Sequence, residues 1–224
     1  MCGNDWIAAT FRMLDSSIQI DFRVADGDSI GAGEIWCVVS GPARSILTAE
    51  RTALNFAQLL SGTATVVRSM VAELEGTNAR LLDTRKTIPG LRLAQKYAVR
   101  CGGGSNHRVG LYDGILLKEN HIRSAGSIRR AVESALKAAD AVSLIEVEVE
   151  NLDELAEALA AGAPRILLDN FSLDELRRAV SMTKGQAELE ASGNVTLETI
   201  REIALTGVDF ISCGQITKNV KATD

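Results

Sequence analysis

The sequence predicts an α/β fold, and within that class a barrel of parallel strands. Short apolar runs alternate with helical patterns from about residue 49 onward, and this alternation requires parallel pairing of the strands. The runs end at Leu82, Leu117, Val149, Leu168, Leu189 and Ile211. Groups capable of chemistry follow nearly every run, and a barrel brings them to one mouth whereas an open sheet spreads them along an edge. We therefore favour the barrel over the doubly wound alternative.

Composition limits the functional classes. The chain has 224 residues, is 46% hydrophobic and carries a net charge of −5, which fits a globular protein and gives no support for a nucleic-acid or membrane partner. The four cysteines are scattered without a C-x-x-C pair, and neither a leader peptide nor a membrane-crossing run is recognisable. We therefore expect a cytoplasmic protein.

The first part of the chain differs in pattern from the rest. Ile18–Val24 alternates apolar and polar residues, Ala25–Asp28 is a turn signal, and Gly33–Val39 predicts a second strand. Two strands cannot form a stable sheet alone, so they must pack on the following domain or on another subunit. We predict a partial, β-rich N-terminal segment over 1–48 and a barrel domain over 49–224.

Helical periodicity is clearest in five segments. Glu50–Glu75 is expected to form one long helix, or two helices broken near Ser61-Gly62. The other segments are Ala125–Ala139, Leu152–Ala161, Leu173–Met182 and Leu197–Leu205. Each lies between two predicted strands, as the barrel requires.

The segment Leu81–Gly90 holds the most informative motif. A buried strand is expected to end at two adjacent cations, Arg85 and Lys86, before a break at Pro89-Gly90. Between Arg85 and Lys118 the chain carries seven cations, with Asp113 as the one acidic residue in the stretch. The alternative is a solvated surface turn. A local basic cluster in an acidic protein favours a small anionic ligand.

Two further motifs offer cationic groups. Gly102–Arg108 is a glycine-rich loop that ends in His107 and Arg108 and lacks the spacing of a P-loop, although a flexible loop with a surface histidine is the alternative. Lys118 follows a three-residue apolar run, where a lysine either forms a Schiff base or clamps an anion. The residues alone leave both roles of Lys118 open.

Carboxylates and glycines follow the later strands. Glu146, Glu148 and Glu150 alternate with valines and share one strand face, so they are expected to meet cations, a metal or water. Asp169 follows the next strand. Carboxylates opposite cations suit a sugar diphosphate with Mg²⁺, and the strand ends at Ser192-Gly193 and Gly214 suit a monophosphate.

These motifs closely resemble the quinolinate phosphoribosyltransferase family, from about Phe11 to Lys218. The segments that carry the resemblance are Glu50–Phe56, Asp83–Arg92, Lys96-Tyr97, Gly102–Arg108, Lys118–His121, Leu168–Phe171 and Gly207–Asp209. The resemblance implies an incomplete α/β barrel of the type II phosphoribosyltransferase kind with a partial N-terminal α+β sandwich. It also implies a homodimer or a higher homo-oligomer.

The resemblance implies that quinolinate and phosphoribosyl pyrophosphate react with Mg²⁺ to give nicotinate mononucleotide, pyrophosphate and carbon dioxide in NAD synthesis. It assigns the quinolinate carboxylates to Arg51, Arg85, His107 and Arg108. Lys86, Lys118, Glu148 and Asp169 would be catalytic, the last two through the ribose hydroxyls and the metal. The remaining substrate-binding residues would be Thr84, Ser192, Gly193 and Gly214. Whether Glu146 or Glu148 faces the ribose is left open.

The chain also departs from the family pattern. Family members begin with a helical segment and further strands before the region matching Phe11, and one arginine there reaches the neighbouring subunit's site. A truncated paralogue that binds phosphate ligands or dimerises without efficient turnover is therefore the second hypothesis. An aldolase-like barrel with Lys118 as a Schiff-base lysine is the third, and the flanking cations disfavour it.

Overall fold

The computed structural model of the protein describes residues 1–138 and 144–224. The helices are α1 Asn4–Leu14, α2 Ala43–Ala72, α3 Arg92–Cys101, α4 Glu119–Ala125, α5 Ile128–Lys137, α6 Leu152–Ala160, α7 Leu173–Thr183, α8 Ile200–Ala204 and α9 Gln215–Lys218. The strands are β1 Gln19–Phe22, β2 Cys37–Ser40, β3 Arg80–Leu82, β4 Ile115–Leu117, β5 Ile145–Val149, β6 Arg165–Asp169, β7 Glu188–Ser192 and β8 Phe210–Ser212.

The described chain divides into two compact units. The first comprises Met1–Ser69, Thr87–Gly104 and Gln215–Asp224, and the second comprises Met70–Lys86 and Ser105–Gly214. The second unit therefore contains all six strands from β3 to β8. Among the described residues, no helix is both long enough and apolar enough to span a membrane.

The second unit is built on a six-stranded parallel sheet in the order β3-β8-β7-β6-β5-β4. The first and last of these strands in the chain, β3 and β8, are neighbours, which is the order of an α/β barrel opened between β3 and β4. Ser105 forms a parallel bridge with Leu82 on the open side of β3. All strand carboxyl ends consequently point to the same end of the sheet.

A cation and an aromatic ring fill the amino-terminal end of the sheet. The Arg165 guanidinium lies 3.9 Å from the centroid of the Phe210 ring, and its Nη2 lies 2.6 Å from an oxygen of Glu188. Phe210 is 5% exposed, so the stack removes apolar surface from water and gives the guanidinium a favourable ring face. This packing joins the first residues of β6, β7 and β8, at the end of the sheet opposite the polar strand ends.

The helices of the second unit begin at residues that suit a helix start. Asn151 and Ser172 precede α6 and α7, and each side chain accepts a hydrogen bond from the backbone N–H three residues on, Glu154 and Glu175 respectively. Such caps satisfy amide donors that the first turn leaves unpaired and stabilise a helix by about 1 kcal/mol. The buried faces of both helices are leucine and alanine, which pack closely on strands.

The first unit packs α1 and the antiparallel β1–β2 pair against the early part of α2. Its core consists of buried residues from α1, from α2 and from the position before β1: Ile7, Phe11, Ile18, Ala49, Ala53 and Ala57. Alanines on α2 let the other elements approach the helix closely, while Ile7 and Phe11 supply the apolar area that drives the packing. A second core lies farther along α2 and includes Leu60, Ala94 and Ala98.

Asp26 fixes the start of α1. Its Oδ1 accepts hydrogen bonds from the backbone N–H groups of Gly3 and Asn4 at 2.9 and 3.1 Å, and its Oδ2 accepts one from the Tyr97 hydroxyl at 2.8 Å. The residue before the helix is Gly3, which has no side chain to serve as a cap. A carboxylate 22 residues away from Asn4 in sequence therefore performs the capping.

The structure confirms the predicted α/β class, the parallel sheet of the barrel domain and the small antiparallel N-terminal sheet. Of the two alternatives for Glu50–Glu75, one unbroken helix is observed, and it begins earlier, at Ala43. Helix α2 passes through residues 48 and 49, where a domain boundary was predicted, and that boundary stays a prediction.

Several helical segments differ from expectation. The prediction missed α1, α3 and α4. The segment predicted as Ala125–Ala139 corresponds to α5, which begins at Ile128 because Ala125 is the last residue of α4 and Gly126 adopts a φ of 90°. The predicted end at Ala139 lies outside the described residues.

We predict that Asp26→Ala lowers the free energy of unfolding by about 1–3 kcal/mol, since it removes a carboxylate that caps α1 and accepts from Tyr97. Asp26→Asn keeps one acceptor oxygen, so its free energy of unfolding should fall by less than that of Asp26→Ala. The matched control is Asp21→Ala, which removes an exposed carboxylate whose ion pair with Arg23 is worth about 0–1 kcal/mol. Urea denaturation of the three variants measures the difference, and equal losses for Asp26→Ala and Asp21→Ala would contradict the capping role.

Candidate active site

The strand carboxyl ends of the second unit surround one pocket. Four cations line it: Arg85, Lys86, Arg108 and Lys118. Its carboxyl groups are Glu148, Asp169 and Glu190, and its hydroxyl groups are Thr84, Ser192 and Ser212. The pocket-lining residues of β6 and of β7 are spaced two apart, as alternation in a strand requires. Residues from seven separate segments of sequence thus converge on one cavity.

The buried carboxylate of Asp83 joins the two cationic motifs. It accepts hydrogen bonds from the His107 backbone N–H at 2.9 Å and from the Asn106 side-chain amide at 2.6 Å. Ser105 N–H donates to the Leu81 carbonyl at 2.8 Å, which extends the contact along β3. The glycine-rich loop is therefore attached to the end of β3, and it brings His107 and Arg108 beside Arg85 and Lys86.

Like charges crowd the cationic side of the pocket. Burial and the neighbouring Arg85 both lower the pKa of the Arg108 guanidinium, while Glu146 and Asp113 act in the opposite direction. The Nη1 of Arg108 donates to the Gly114 carbonyl at 2.9 Å, and this hydrogen bond restricts the orientation of the guanidinium. Two guanidinium groups this close to each other make an anionic ligand favourable.

Lys118 and Glu148 form an ion pair across the mouths of β4 and β5. The amino group of Lys118 is thus engaged by a carboxylate at a mouth that carries three other cations, an arrangement that suits an anion clamp better than an aldolase-like Schiff base. Asp169 lies beside them, and burial followed by the charge of Glu148 raises its pKa, while Lys118 and Lys86 oppose the rise. Two carboxylates that repel each other at the mouth are suited to receive a cation.

The ends of β7 and β8 present backbone close to the pocket. Gly193 has a φ of 107°, and a Cβ built on it would lie 2.2 Å from Oδ1 of Asn170, so only glycine fits here. Gly214 packs against Lys86, where a Cβ would lie 2.9 Å from the lysine Cδ. Ser192 and Ser212 line the pocket between these two glycines. The predicted phosphate-end residues thus lie together.

A group of buried carboxyls lies beneath the mouth; the sequence prediction named Glu146 and missed Glu190, and of Glu146 and Glu148 only Glu148 lines the pocket. Glu146 and Glu190 are both 0% exposed, and the His107 Nε2 lies 2.9 Å from one and 3.5 Å from the other. Burial raises the pKa of Glu146 to about 7 and that of Glu190 to about 8, the latter also because Glu146 lies beside it. The expectation that the glutamates of β5 share one face holds for Glu146 and Glu148, and Glu150 is exposed past the strand end.

Arg51 is on α2, in the first unit, and its side chain is exposed. Its predicted contact with quinolinate stays a prediction. The other predicted residues all belong to the second unit, and all except Gly193 and Gly214 line the pocket.

Comparison with known proteins identifies the family. The family model described as quinolinate phosphoribosyl transferase, N-terminal domain, matches residues 1–61, and the corresponding C-terminal domain model matches residues 63–224. The chain belongs to the quinolinate phosphoribosyltransferase family. This confirms the resemblance that the sequence motifs indicated.

Individual relatives agree with this assignment to the quinolinate phosphoribosyltransferase family. A probable nicotinate-nucleotide pyrophosphorylase (carboxylating) of Bacillus subtilis is 46% identical over 214 residues, which is 96% of this chain and 74% of the relative. Quinolinate phosphoribosyltransferase (decarboxylating) 1 of Nicotiana glauca is 40% identical over 96% of this chain and 66% of the relative. The structure of the nicotinate-nucleotide pyrophosphorylase from Francisella tularensis has a TM-score of 0.96 and 54% identity, and the match covers 100% of this chain and 79% of that one.

These relatives are pentosyltransferases, which is the enzyme class that the sequence predicted for this chain. The barrel architecture predicted from strand order and polar strand ends is also that of the solved relative. The roles of individual residues in the pocket remain predictions.

We predict that stability falls as the pH rises from about 5 to 8, because Glu190 keeps its proton in the folded chain up to about pH 8 whereas an unfolded glutamate loses it near its ordinary pKa. A raised folded pKa contributes stability that is present at low pH and lost as pH increases. Glu190→Gln replaces the neutral carboxyl with a neutral amide, so its stability should change less over this range. Thermal denaturation between pH 5 and 8 measures both, and parallel pH dependences would contradict the prediction.

Proposed function

We propose that the protein transfers the phosphoribosyl group of phosphoribosyl pyrophosphate to quinolinate, releases pyrophosphate and carbon dioxide, and so forms nicotinate mononucleotide for NAD synthesis. Family membership supports the reaction. The observation that carries it in this chain is the convergence of four cations with two adjacent carboxylates, Glu148 and Asp169, at one mouth. Both substrates are polyanions, and one of them also carries ribose hydroxyls that need acceptors.

Arg85 and Arg108 are proposed to hold the quinolinate carboxylates, together with His107 and with Arg51. The crowding of Arg85 and Arg108 supports this, since two neighbouring guanidinium groups match a ligand with two adjacent carboxylates. The loop contacts of Asp83 fix the backbone that carries His107 and so leave little freedom in this part of the site.

Lys86 and Lys118 are proposed to bind the pyrophosphate and to act in catalysis. Ser192, Gly193 and Gly214 would receive the 5′-phosphate, and the proximity of Gly214 to Lys86 supports a continuous anion path. Thr84 accepts a hydrogen bond from the Lys86 backbone N–H at 3.0 Å and would orient that turn next to the substrate. Flexible lysines suit the leaving group because its charge changes position as the bond breaks.

Mg²⁺ is proposed as the cofactor, held by Glu148 and Asp169 in part through water. The donor set fits, since Mg²⁺ prefers carboxylate oxygens. Burial, and after it the charge of Glu148, raises the pKa of Asp169, and a divalent cation would relieve the repulsion between the two carboxylates. When bound, Mg²⁺ supplies neutralisation of negative charge on the departing pyrophosphate. The same two carboxylates would accept hydrogen bonds from the ribose hydroxyls.

The chemistry requires opposite charges on the two sides of the ribose. The pyridine nitrogen of quinolinate forms a bond to the ribose C1 as the bond from C1 to the pyrophosphate oxygen breaks. Glu148 and Asp169 favour the positive charge that develops on the sugar, while Lys86 and Lys118 favour the negative charge on the leaving group. The carboxylate next to the ring nitrogen then leaves as carbon dioxide, its bonding electrons stay on that ring carbon, where the adjacent positive nitrogen stabilises them, and this carbon then takes up a proton.

A homodimer or a higher homo-oligomer is part of the proposal. Large apolar side chains of the first unit are exposed, including Ile35 at 62% and Leu47 at 70%, which fits a surface that another subunit covers. Sedimentation velocity tests this, and a monomer at micromolar concentration would contradict it. A cytoplasmic location is also proposed, supported by four cysteines that are all free thiols.

The function is tested by incubating the purified chain with quinolinate, phosphoribosyl pyrophosphate and Mg²⁺ and measuring nicotinate mononucleotide and carbon dioxide. We expect both products, and we expect chelation of Mg²⁺ to abolish them. Absence of product with phosphoribosyl pyrophosphate still bound would support the alternative, a paralogue that binds phosphate ligands without efficient turnover. Absence of product and of binding would contradict both.

We predict that Arg85→Ala raises the KM for quinolinate by about tenfold or more and changes the KM for phosphoribosyl pyrophosphate much less, because a charge-assisted hydrogen bond contributes about 1.5–3 kcal/mol. Initial rates at varied concentrations of each substrate provide the comparison. Arg123→Ala is the control, since Arg123 pairs with Glu119 on the exposed surface of α4. Equal increases in both KM values would refute the assignment of Arg85 to quinolinate.

A further inference from the structure

A buried polar cluster lies directly beneath the cationic side of the pocket. It consists of His107, Glu146 and Glu190, which come from the glycine-rich loop, β5 and β7. His107 and Glu190 line the pocket, whereas Glu146 lies behind them with no exposed surface. The proposed reaction gives no chemical step to either glutamate, yet burying two carboxyls costs free energy that their surroundings must offset.

The hydrogen bonds of His107 define the state of its ring. Nδ1 accepts a hydrogen bond from the Arg108 backbone N–H at 2.7 Å, so this nitrogen carries no proton. The proton of the neutral ring is therefore on Nε2, which donates to Oε2 of Glu146 at 2.9 Å. Two opposed hydrogen bonds, one given and one received, fix both the tautomer and the orientation of the ring.

Glu190 completes the cluster on its other side. Oε2 of Glu190 lies 3.5 Å from the His107 Nε2, and the carboxyl lies next to Glu146. Within the described chain, Glu146 Oε1 and both oxygens of Glu190 receive no well-formed hydrogen bond, although Ser212 is near enough to favour the charged form of Glu190. A proton on Glu190 supplies the missing donor toward Glu146, and burial raises the pKa of Glu190 in the direction that retains it.

The cluster is connected to the quinolinate-binding cations through one residue. Arg108 receives its backbone constraint from the His107 ring and its side-chain constraint from the Gly114 carbonyl at 2.9 Å. A change in the ring orientation would therefore move the start of the Arg108 side chain. Such a displacement weakens binding, because a guanidinium and a carboxylate form paired hydrogen bonds only when the two planar groups are aligned.

We infer that Glu146 and Glu190 are positioning residues for quinolinate: they orient the His107 ring, and through it they hold Arg108 against a quinolinate carboxylate. This inference rests on the proposed function. Both glutamates are 0% exposed and lie next to the His107 ring, so the effect should appear in quinolinate binding and leave the phosphoribosyl pyrophosphate side nearly unchanged.

The experiment compares Glu190→Ala with Glu190→Gln, which retains both the volume and a donor toward Glu146. We expect Glu190→Ala to raise the KM for quinolinate by about tenfold, the consequence of leaving a buried group unsatisfied. The KM for phosphoribosyl pyrophosphate should stay within about twofold, and Glu190→Gln should restore the quinolinate value to within about threefold of the original. Glu188→Gln is the matched control, because Glu188 lies two residues earlier on β7 and pairs with Arg165 instead of His107.

A second measurement does not depend on turnover. Long-range ¹H–¹⁵N spectra of the histidine rings report the tautomer, and we expect a protonated Nε2 in His107 for the original chain and for Glu190→Gln, with a mixture in Glu190→Ala. If Glu190→Ala does not fold, Glu190→Asp withdraws the carboxyl by one methylene and provides the same comparison. The inference would be overturned if neither the KM for quinolinate nor the His107 tautomer changed in Glu190→Ala or, in its place, Glu190→Asp. Equal increases in the KM values for quinolinate and for phosphoribosyl pyrophosphate would also overturn it.

Two outcomes separate this inference from its alternatives. If the original chain neither turns over nor binds quinolinate, the proposed function fails, while the tautomer measurement still decides whether the glutamates orient the ring.

The ligand atoms of His107, Glu146 and Glu190 all lie within 4.8 Å of one another, a spacing that also suits a metal ion. Stoichiometric binding of Zn²⁺ that Glu190→Gln abolishes would show that the carboxyls are ligands, and it would overturn the positioning role.

Discussion

The pocket depends on how four closely spaced carboxyl groups share the interior and mouth of one sheet. Glu148 is balanced by its ion pair with Lys118, and Glu146 by the proton of His107. Glu146, Glu190 and Asp169 have raised pKa values, because burial, and after it neighbouring negative charge, favours their protonated forms. The carboxyls near the mouth thus stay available to ligands while the deeper ones become part of the wall. Carboxyl groups therefore have two roles in this protein, ligand binding at the mouth and packing in the interior, and their depth in the barrel decides which role each has.

Much of this arrangement follows from the sequence. A strand side chain alternates sides, so a polar residue just past an apolar run faces the mouth whenever the strands are parallel. This rule predicts from the sequence that Arg85, Lys118, Glu148 and Asp169 lie at the mouth, and all four line one pocket. It also favoured the barrel over an open sheet, and the observed strand order agrees with that choice.

The features that the sequence did not reveal depend on contacts between distant residues. Helix α1 is capped by Asp26 from beyond β1, so its start has no local signal. Glu190 precedes Ser192 by two positions and shares its face, a pattern that would have identified it as interior-facing. Its meeting with Glu146 and His107 depends on the register of β5, β6 and β7, which single-strand patterns do not specify.

The contacts of Arg165 with Phe210 and Glu188 have a consequence for how this sheet can change. They join the first residues of β6, β8 and β7, at the end of the sheet opposite the pocket. The groups that hold these strands together there are therefore separate from the groups that line the pocket, so stability and chemistry can be altered independently at the two ends.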